Sequence, residues 1–254
     1  MKAAKEVLTK KNKADEFGIN PEEMMQAGLH FGHKSSKTHP KMKPYLFGVR
    51  NTIHIFDVEK TAEKLRETLV KIKELVTEDK VLLFVGTKIQ TKELIKEIAV
   101  ETGFPYVTER WLGGTITNFK IIKDRVEYFK DLEKKKEKGE LEKYTKKEQL
   151  EFDKELQKLR MKFEGIKNMT KIPDAIFIVD IGKENSAVRE AKQKGIKIIG
   201  ICDTTVDPTL IDCPIPANDD AISSLKYILE KVKEAILKGK QKTKSKEKEE
   251  EKEK

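Results

Sequence analysis

Cysteine is nearly absent. Cys202 and Cys213 are the only two in 254 residues, and they form no CxxC pair. That excludes a disulfide framework and a cysteine-based zinc motif, and it fits a reducing compartment. Long apolar runs are missing too, since none approaches the roughly 18 residues needed to cross a bilayer. The N-terminus, "MKAAKEVLTKKNKADEFGI", is basic but lacks the apolar stretch of a signal peptide. A cytoplasmic protein with no membrane partner is expected.

The glycine fingerprints of nucleotide enzymes are also missing. "LLFVGTKIQTKE" (82–93) has one glycine and matches neither G-x-x-x-x-G-K-[ST] nor G-x-G-x-x-G. Thr87 is read there as a helix cap and Lys88 as a solvated first-turn residue. Ser35–Ser36 lacks the GxSxG setting of a nucleophilic serine. No catalytic residue, cofactor or small-molecule substrate is expected.

The most informative absence is that of acid. From Met24 to Phe56 there is no Asp or Glu, although 44 of the 254 residues are acidic. Random placement would leave such a window empty on the order of once in several hundred trials. The stretch holds all four histidines, His30, His33, His39 and His54, together with Lys34, Lys37, Lys41, Lys43 and Arg50. Three nearby imidazoles can hold a metal. Against that, no Cys, Asp or Glu is close in sequence, and five cations would oppose a divalent ion, so no metal is expected. Carboxylates would repel phosphates, so a surface lying against RNA gains by omitting them. Lys and Arg neutralise phosphate, His39 and Tyr45 can stack or donate, and Pro40 and Pro44 stiffen the loop before binding. The net charge of +9 points to an acidic partner in the same way.

What is present beyond this stretch is an alternation. Short apolar runs at 53–56, 81–85, 105–107, 175–179 and 197–202 suit strands covered on both faces of a parallel sheet. Helical segments fall between and after them, at about 59–77, 89–102, 184–194 and 219–237, with Asn218 as a cap for the last and Asp219 and Asp220 in its first turn. A doubly wound α/β sheet over residues 19–237 is expected.

Residues 115–167 break the pattern. Phe119, Ile122, Val126 and Phe129 are spaced 3, 4 and 3, and Phe152, Leu156, Leu159 and Phe163 are spaced 4, 3 and 4. These are coiled-coil seams, and they predict an antiparallel hairpin protruding from the α/β body. Residues 1–18 and 238–254 are polar or charged with too few apolar groups to offset ordering, and are expected to be disordered.

Two constellations remain open at this level. In "RWLGGTITNF" (110–119), Gly113 and Gly114 expose backbone N–H groups before a helix that Thr115 can cap, a geometry that receives phosphate or simply turns the chain. Arg110 and Lys120 add charge there, and Trp111 can stack on a base or pack in the core. Asp203, Asp207, Asp212, Asp219 and Asp220 could hold magnesium near the strand ends, but turn and cap roles explain each of them and are preferred.

The segments "AGLHFGHKSSKTHPKMKPYLFGVRNTIHIFD" (27–57), "VLLFVGTK" (81–88), "PYVTERWLGGTITNF" (105–119), "GIKNMTKIPDAIFIVD" (165–180) and "IDCPIPANDDAISS" (211–224) resemble the bacterial small-subunit ribosomal protein S-two family. The resemblance covers about residues 20–237. It implies a flavodoxin-like or Rossmann-like α/β domain with an inserted coiled-coil hairpin, no enzyme activity and a ribosome-bound location. It further implies binding to 16S rRNA near the junction of head and body, contact with neighbouring small-subunit proteins, and help in anchoring the mRNA-binding protein S-one. The family usually has Trp–Asn where Thr38–His39 stand, a basic residue at the position of Ile89, and Gly at that of Ala217. The candidate RNA contacts are Lys34, Lys37, His39, Lys41, Lys43, Tyr45, Arg50, Arg110, Trp111 and Lys120. The rival reading is a Rossmann-class nucleotide-binding enzyme.

Overall fold

The computed structural model describes residues 16–252, with side chains through residue 243. Most of the expected disordered N-terminus, residues 1–15, lies outside the described residues. Phe17 and Ile19 are buried, so packed chain begins before the expected boundary at 18.

The acid-free stretch folds first into a small antiparallel sheet. Its strands are β1 (Phe31–Lys34), β2 (Leu46–Arg50) and β3 (Ile53–Phe56), in the order β1-β3-β2. This corrects the placement of 53–56 in the parallel sheet. The run buries Phe56 but leaves Ile53 exposed, so it is covered on one side only. Asn51 and Thr52, both at positive φ, turn β2 into β3. Two consecutive left-handed residues match the twist of a tight hairpin. Two short 3-10 turns, Ser35–Lys37 and Pro40–Tyr45, join β1 to β2.

The main sheet is parallel. It contains β4 (Leu82–Val85), β5 (Tyr106–Val107), β6 (Ala175–Ile178), β7 (Lys197–Cys202) and β8 (Cys213–Pro216) in the order β5-β4-β6-β7-β8. Counted from β4, that is the flavodoxin-like order 2-1-3-4-5, with its switch point between β4 and β6. Strand β8 was not anticipated. Pro214 and Pro216 cannot donate to a ladder, which suits an edge strand and hides it from a search for apolar runs.

Side chains alternate between two cores because a strand has period two. Leu82, Phe84, Phe177, Ile199 and Ile201 face one cluster, whereas Leu83, Val85, Ile176, Ile178 and Ile198 face the other. The first layer is covered by α1 (Pro21–Gln26), α2 (Val58–Thr77), α3 (Ile89–Thr102) and the last helix. The second is covered by α4 (Phe119–Glu137), α5 (Lys146–Phe163), α6 (Asn185–Gln193) and the segment around Trp111.

Helices α4 and α5 form the hairpin. Ile122, Val126, Phe129 and Leu132 pack from one helix, and Leu156 and Phe163 from the other, with Phe152 and Leu159 half-buried. Tyr128 donates to Glu155 at 3.1 Å, Lys136 pairs with Asp153 at 2.6 Å and Arg160 with Glu133 at 2.9 Å, the ladder of an antiparallel pair. Thr145 and Glu148 form a reciprocal capping box at the start of α5.

The last helix, α7, runs Ile222–Lys252, well past the expected end near 237 and through most of the segment expected as a disordered tail. Gly239 permits the extension. A Cβ there would lie 2.9 Å from Val76 Cβ and 3.0 Å from the Lys73 carbonyl, so α7 lies closely on α2 only with glycine at the crossing. The acids placed in its first turn stand before it: Asn218 Oδ1 accepts from the N–H groups of Asp220 and Ala221, ahead of Ile222.

Candidate nucleic-acid interface

The small sheet is pinned to the end of β7 through Thr204. The His33 N–H donates to Thr204 Oγ1 at 3.1 Å, and the His39 N–H to the Thr204 carbonyl at 2.8 Å. Gly32 makes the approach possible, because a Cβ there would meet Thr204 Cγ2 at 2.4 Å. The cationic stretch is therefore held as a rigid plate rather than a loose loop.

The structure sorts its cations. Lys34, Lys37, Lys43 and Arg50 are exposed and have no ion-pair partner among the described residues. Lys41 is exposed but donates to Asp207 at 2.7 Å and to Thr209 at 2.9 Å. That pairing, with Thr209 assisting, holds the Asp207 carboxyl well below the usual carboxylate range. His39 is half-buried, its Nδ1 accepting the Lys41 N–H at 3.4 Å, and Tyr45 is half-buried beside the second core. Arg110 and Lys120 are exposed, at the entry to the hairpin.

Trp111 stands apart from the other candidates. Its indole is 7% exposed within the second core, and its N–H goes to Glu190 Oε1 at 3.0 Å. The packing alternative holds for this residue, because a ring so buried has no free face for a base. The Gly113–Gly114 turn likewise has its anion already. Glu190 accepts from the N–H groups of Gly114 at 2.9 Å and of Ile116 and Thr117 at 3.1 Å each. Burial alone would raise the Glu190 carboxyl, but the N–H groups of Thr117, Gly114 and Ile116 and the Trp111 indole outweigh it and hold the group below its ordinary value. Thr115 does not cap α4; its hydroxyl donates to the Leu112 carbonyl.

A family model described as "Ribosomal protein S2" matches residues 24–239. The chain belongs to the ribosomal protein S2 family. Among similar proteins, the small ribosomal subunit protein uS2 of Dictyoglomus thermophilum is 48% identical over 218 residues, covering 86% of this chain and 89% of that one. The uS2 of Fusobacterium nucleatum is 46% identical over 224 residues, covering 88% and 91%. That of Coprothermobacter proteolyticus is 44% identical over 223 residues, covering 88% and 83%. These are ribosomal proteins and not enzymes, which decides against the Rossmann-enzyme rival.

The site where a nucleotide enzyme would bind its ligand is plugged in this ribosomal protein S2 chain. At the switch point, Lys88 follows β4 and Asp180 follows β6, and they pair at 2.8 Å. Lys88 also reaches Asp219 at 3.0 Å and Asp220 at 2.8 Å. It is thus a half-buried counter-ion, not the solvated residue expected. Burial works against its charge, but Asp180 and Asp220 outweigh that and hold the amine well above its ordinary value. Thr87 does not cap α3; its hydroxyl donates to the Glu184 carboxylate.

Of the C-terminal acids, Asp207 has the turn role expected, accepting from the Thr209 N–H at 2.9 Å, whereas Asp212 accepts from the Ile198 N–H at 2.7 Å, at the start of β7. Asp203 and Asp219 differ. Both are buried, at 2% and 4% exposure; Asp203 pairs with His33 at 2.6 Å and Asp219 with Lys88 at 3.0 Å. Burial raises the Asp203 carboxyl, and burial together with Asp180 pushes Asp219 up to about 6. Glu190 and Lys88 carry no local motif in the sequence; the side-chain partners of Glu190 lie 73 or more positions away, and Lys88 pairs with Asp180, Asp219 and Asp220 from later segments.

Proposed function

We propose that the protein is a structural component of the small ribosomal subunit that binds 16S rRNA through the plate formed by residues 31–56, near the junction of head and body. The observation carrying this reading is the set of four exposed cations, Lys34, Lys37, Lys43 and Arg50, standing without ion pairs among the described residues on a rigid segment that contains no acid. Phosphates supply the missing counter-charge, and positioning on a fixed plate lowers the ordering cost of binding. Arg110 and Lys120 are further exposed cations that take part in the same reading, and Lys41 joins when phosphate displaces Asp207. His39 and Tyr45 contribute edges and hydroxyl or imidazole donors between the cations.

The hairpin region docks onto the rRNA with the plate, and the chain contacts neighbouring small-subunit proteins and helps to anchor S-one; these readings follow from the family resemblance. The test is reconstitution with the double substitution Lys43→Glu and Arg50→Glu. Purified subunits should then contain the protein at well below one copy each, and subunits depleted of the protein should be poor in S-one. Unchanged occupancy of the double variant would remove this plate from the interface.

A further inference from the structure

Three segments distant in sequence meet where β1 abuts the carboxyl ends of β7 and β8. His33 comes from β1, Asp203 follows β7, and Asp219 follows β8. One ligand atom from each lies within 4.8 Å of the others. His33 Nδ1 is 2.6 Å from Asp203 Oδ2, and His33 Nε2 is 3.3 Å from Asp220 Oδ2. Asp203 Oδ1 and Asp219 Oδ1 are both buried and accept no hydrogen bond. A buried carboxylate oxygen without a partner is costly, so each calls for a cation or a donor.

Lys88 does not meet that demand. Four carboxylates, those of Asp180, Asp203, Asp219 and Asp220, gather here, and the Lys88 ammonium is committed to Asp180, Asp219 Oδ2 and Asp220. The local balance stays negative after its charge is counted. Both orphan oxygens belong to carboxylates of this cluster, and His33, 39% exposed at its side chain, is its solvent-facing member.

We propose that His33, Asp203 and Asp219 form a binding site for one divalent first-row transition ion of the zinc class. One imidazole nitrogen and two carboxylate oxygens suit Zn²⁺ with water in the remaining position, while the nitrogen ligand and the tight cluster disfavour Mg²⁺ and Ca²⁺, which take oxygen shells. Binding through His33 Nδ1 displaces the proton it shares with Asp203, which passes to solvent. The other ring N–H then points to Asp220, the arrangement in which a carboxylate orients a metal-bound histidine. The ion would staple β1, and with it the cationic plate, to the ends of two strands of the main sheet. This inference is independent of the RNA reading and concerns what holds the plate in place.

The experiment is a Zn²⁺ titration of the metal-stripped full chain by calorimetry, with thermal melts and Co²⁺ absorption as second readouts. The wild type should take up one equivalent, show tetrahedral-type Co²⁺ bands, and gain ~5–10 °C in Tm at a hundredfold excess over Kd. His33→Ala, a half-exposed position that tolerates truncation, and Asp203→Asn, which keeps the side-chain shape, should each weaken Zn²⁺ at least tenfold while keeping the native circular dichroism spectrum. His54→Ala should keep the full equivalent, and millimolar Mg²⁺ should leave Tm unmoved. Absence of stoichiometric uptake by the wild type, unchanged affinity in His33→Ala, or a Mg²⁺ response equal to that of Zn²⁺ would each overturn the proposal.

Discussion

The Trp111 indole donates its N–H to Glu190 across 3.0 Å, tying the segment before the hairpin to helix α6. The same carboxylate takes three backbone N–H groups and the Thr117 hydroxyl, so it acts as the anion for a turn that would otherwise leave its donors bare. Glu190→Gln should therefore cost about 2 kcal/mol at pH 7, because part of that donor set loses its acceptor. The folded carboxyl is held below its ordinary 4.5, so its stabilisation is present above that value and lost as pH falls through the folded pKa. Urea melts from pH 7 to pH 3 should show the gap between wild type and variant closing below pH ~4. A gap that stays constant over the range would count against the role of the charge.

Lys88 is the only cation among the described residues that meets Asp180, Asp219 and Asp220 together. Lys88→Met keeps the packing stem but takes the ammonium from Asp180 and Asp219 and leaves Asp220 only His33. Loss of the ammonium costs about 2 kcal/mol, less than for a fully buried set because Asp220 is half exposed. The denaturation midpoint at pH 7 should drop accordingly, and Lys88→Arg should recover much of it. A neutral result for the Met variant would mean that solvent, not Lys88, balances these acids.

The parallel strands and the hairpin were legible because their physics is local. Runs such as 175–179 need only the apolar cover of two faces, and the seams at Phe119–Phe129 and Phe152–Phe163 need only helical periodicity. The small sheet was not legible, since β1 and β2 are short, polar and glycine-bearing, and they exist because β3 and Thr204 give them partners. The acid-free stretch pointed correctly to exposed cations but gave a false impression of isolation. His33 lies against Asp203 and Asp220, and Lys41 against Asp207, all from segments more than 160 positions away. Trp111 and the glycine turn after it were ambiguous for the same reason: the residue that accepts from Trp111 and Gly114, Glu190, lies on another helix.

Gly32 fixes how closely the plate approaches the sheet. An added Cβ would meet Thr204 Cγ2 at 2.4 Å and the His54 carbonyl at 3.2 Å. Thr204 is fully buried and cannot swing away. Gly32→Ala should destabilise the fold by about 2 kcal/mol, within the range for overpacking. Adding Thr204→Ser removes the clashing methyl while keeping the hydroxyl that accepts from His33, so the double variant should regain part of the loss. If the second substitution only adds to the first, the methyl is not the obstacle.

Four unpaired cations and one paired cation on the same plate should not weigh equally in RNA binding. Each phosphate neutralised releases condensed counter-ions and adds about 0.7–0.9 to the slope of log affinity against log salt. Lys43→Ala and Arg50→Ala should each lower that slope by roughly this amount, because neither cation has an ion pair among the described residues to give up. Lys41 must first leave Asp207, so its alanine variant should change the slope less, and Asp207→Asn should strengthen binding by freeing it. The measurement is filter binding or anisotropy with a 16S rRNA fragment across 50–300 mM salt, values spanning about a factor of two in Debye length. Equal slopes for all four variants and the wild type would show that the plate does not lie against phosphate.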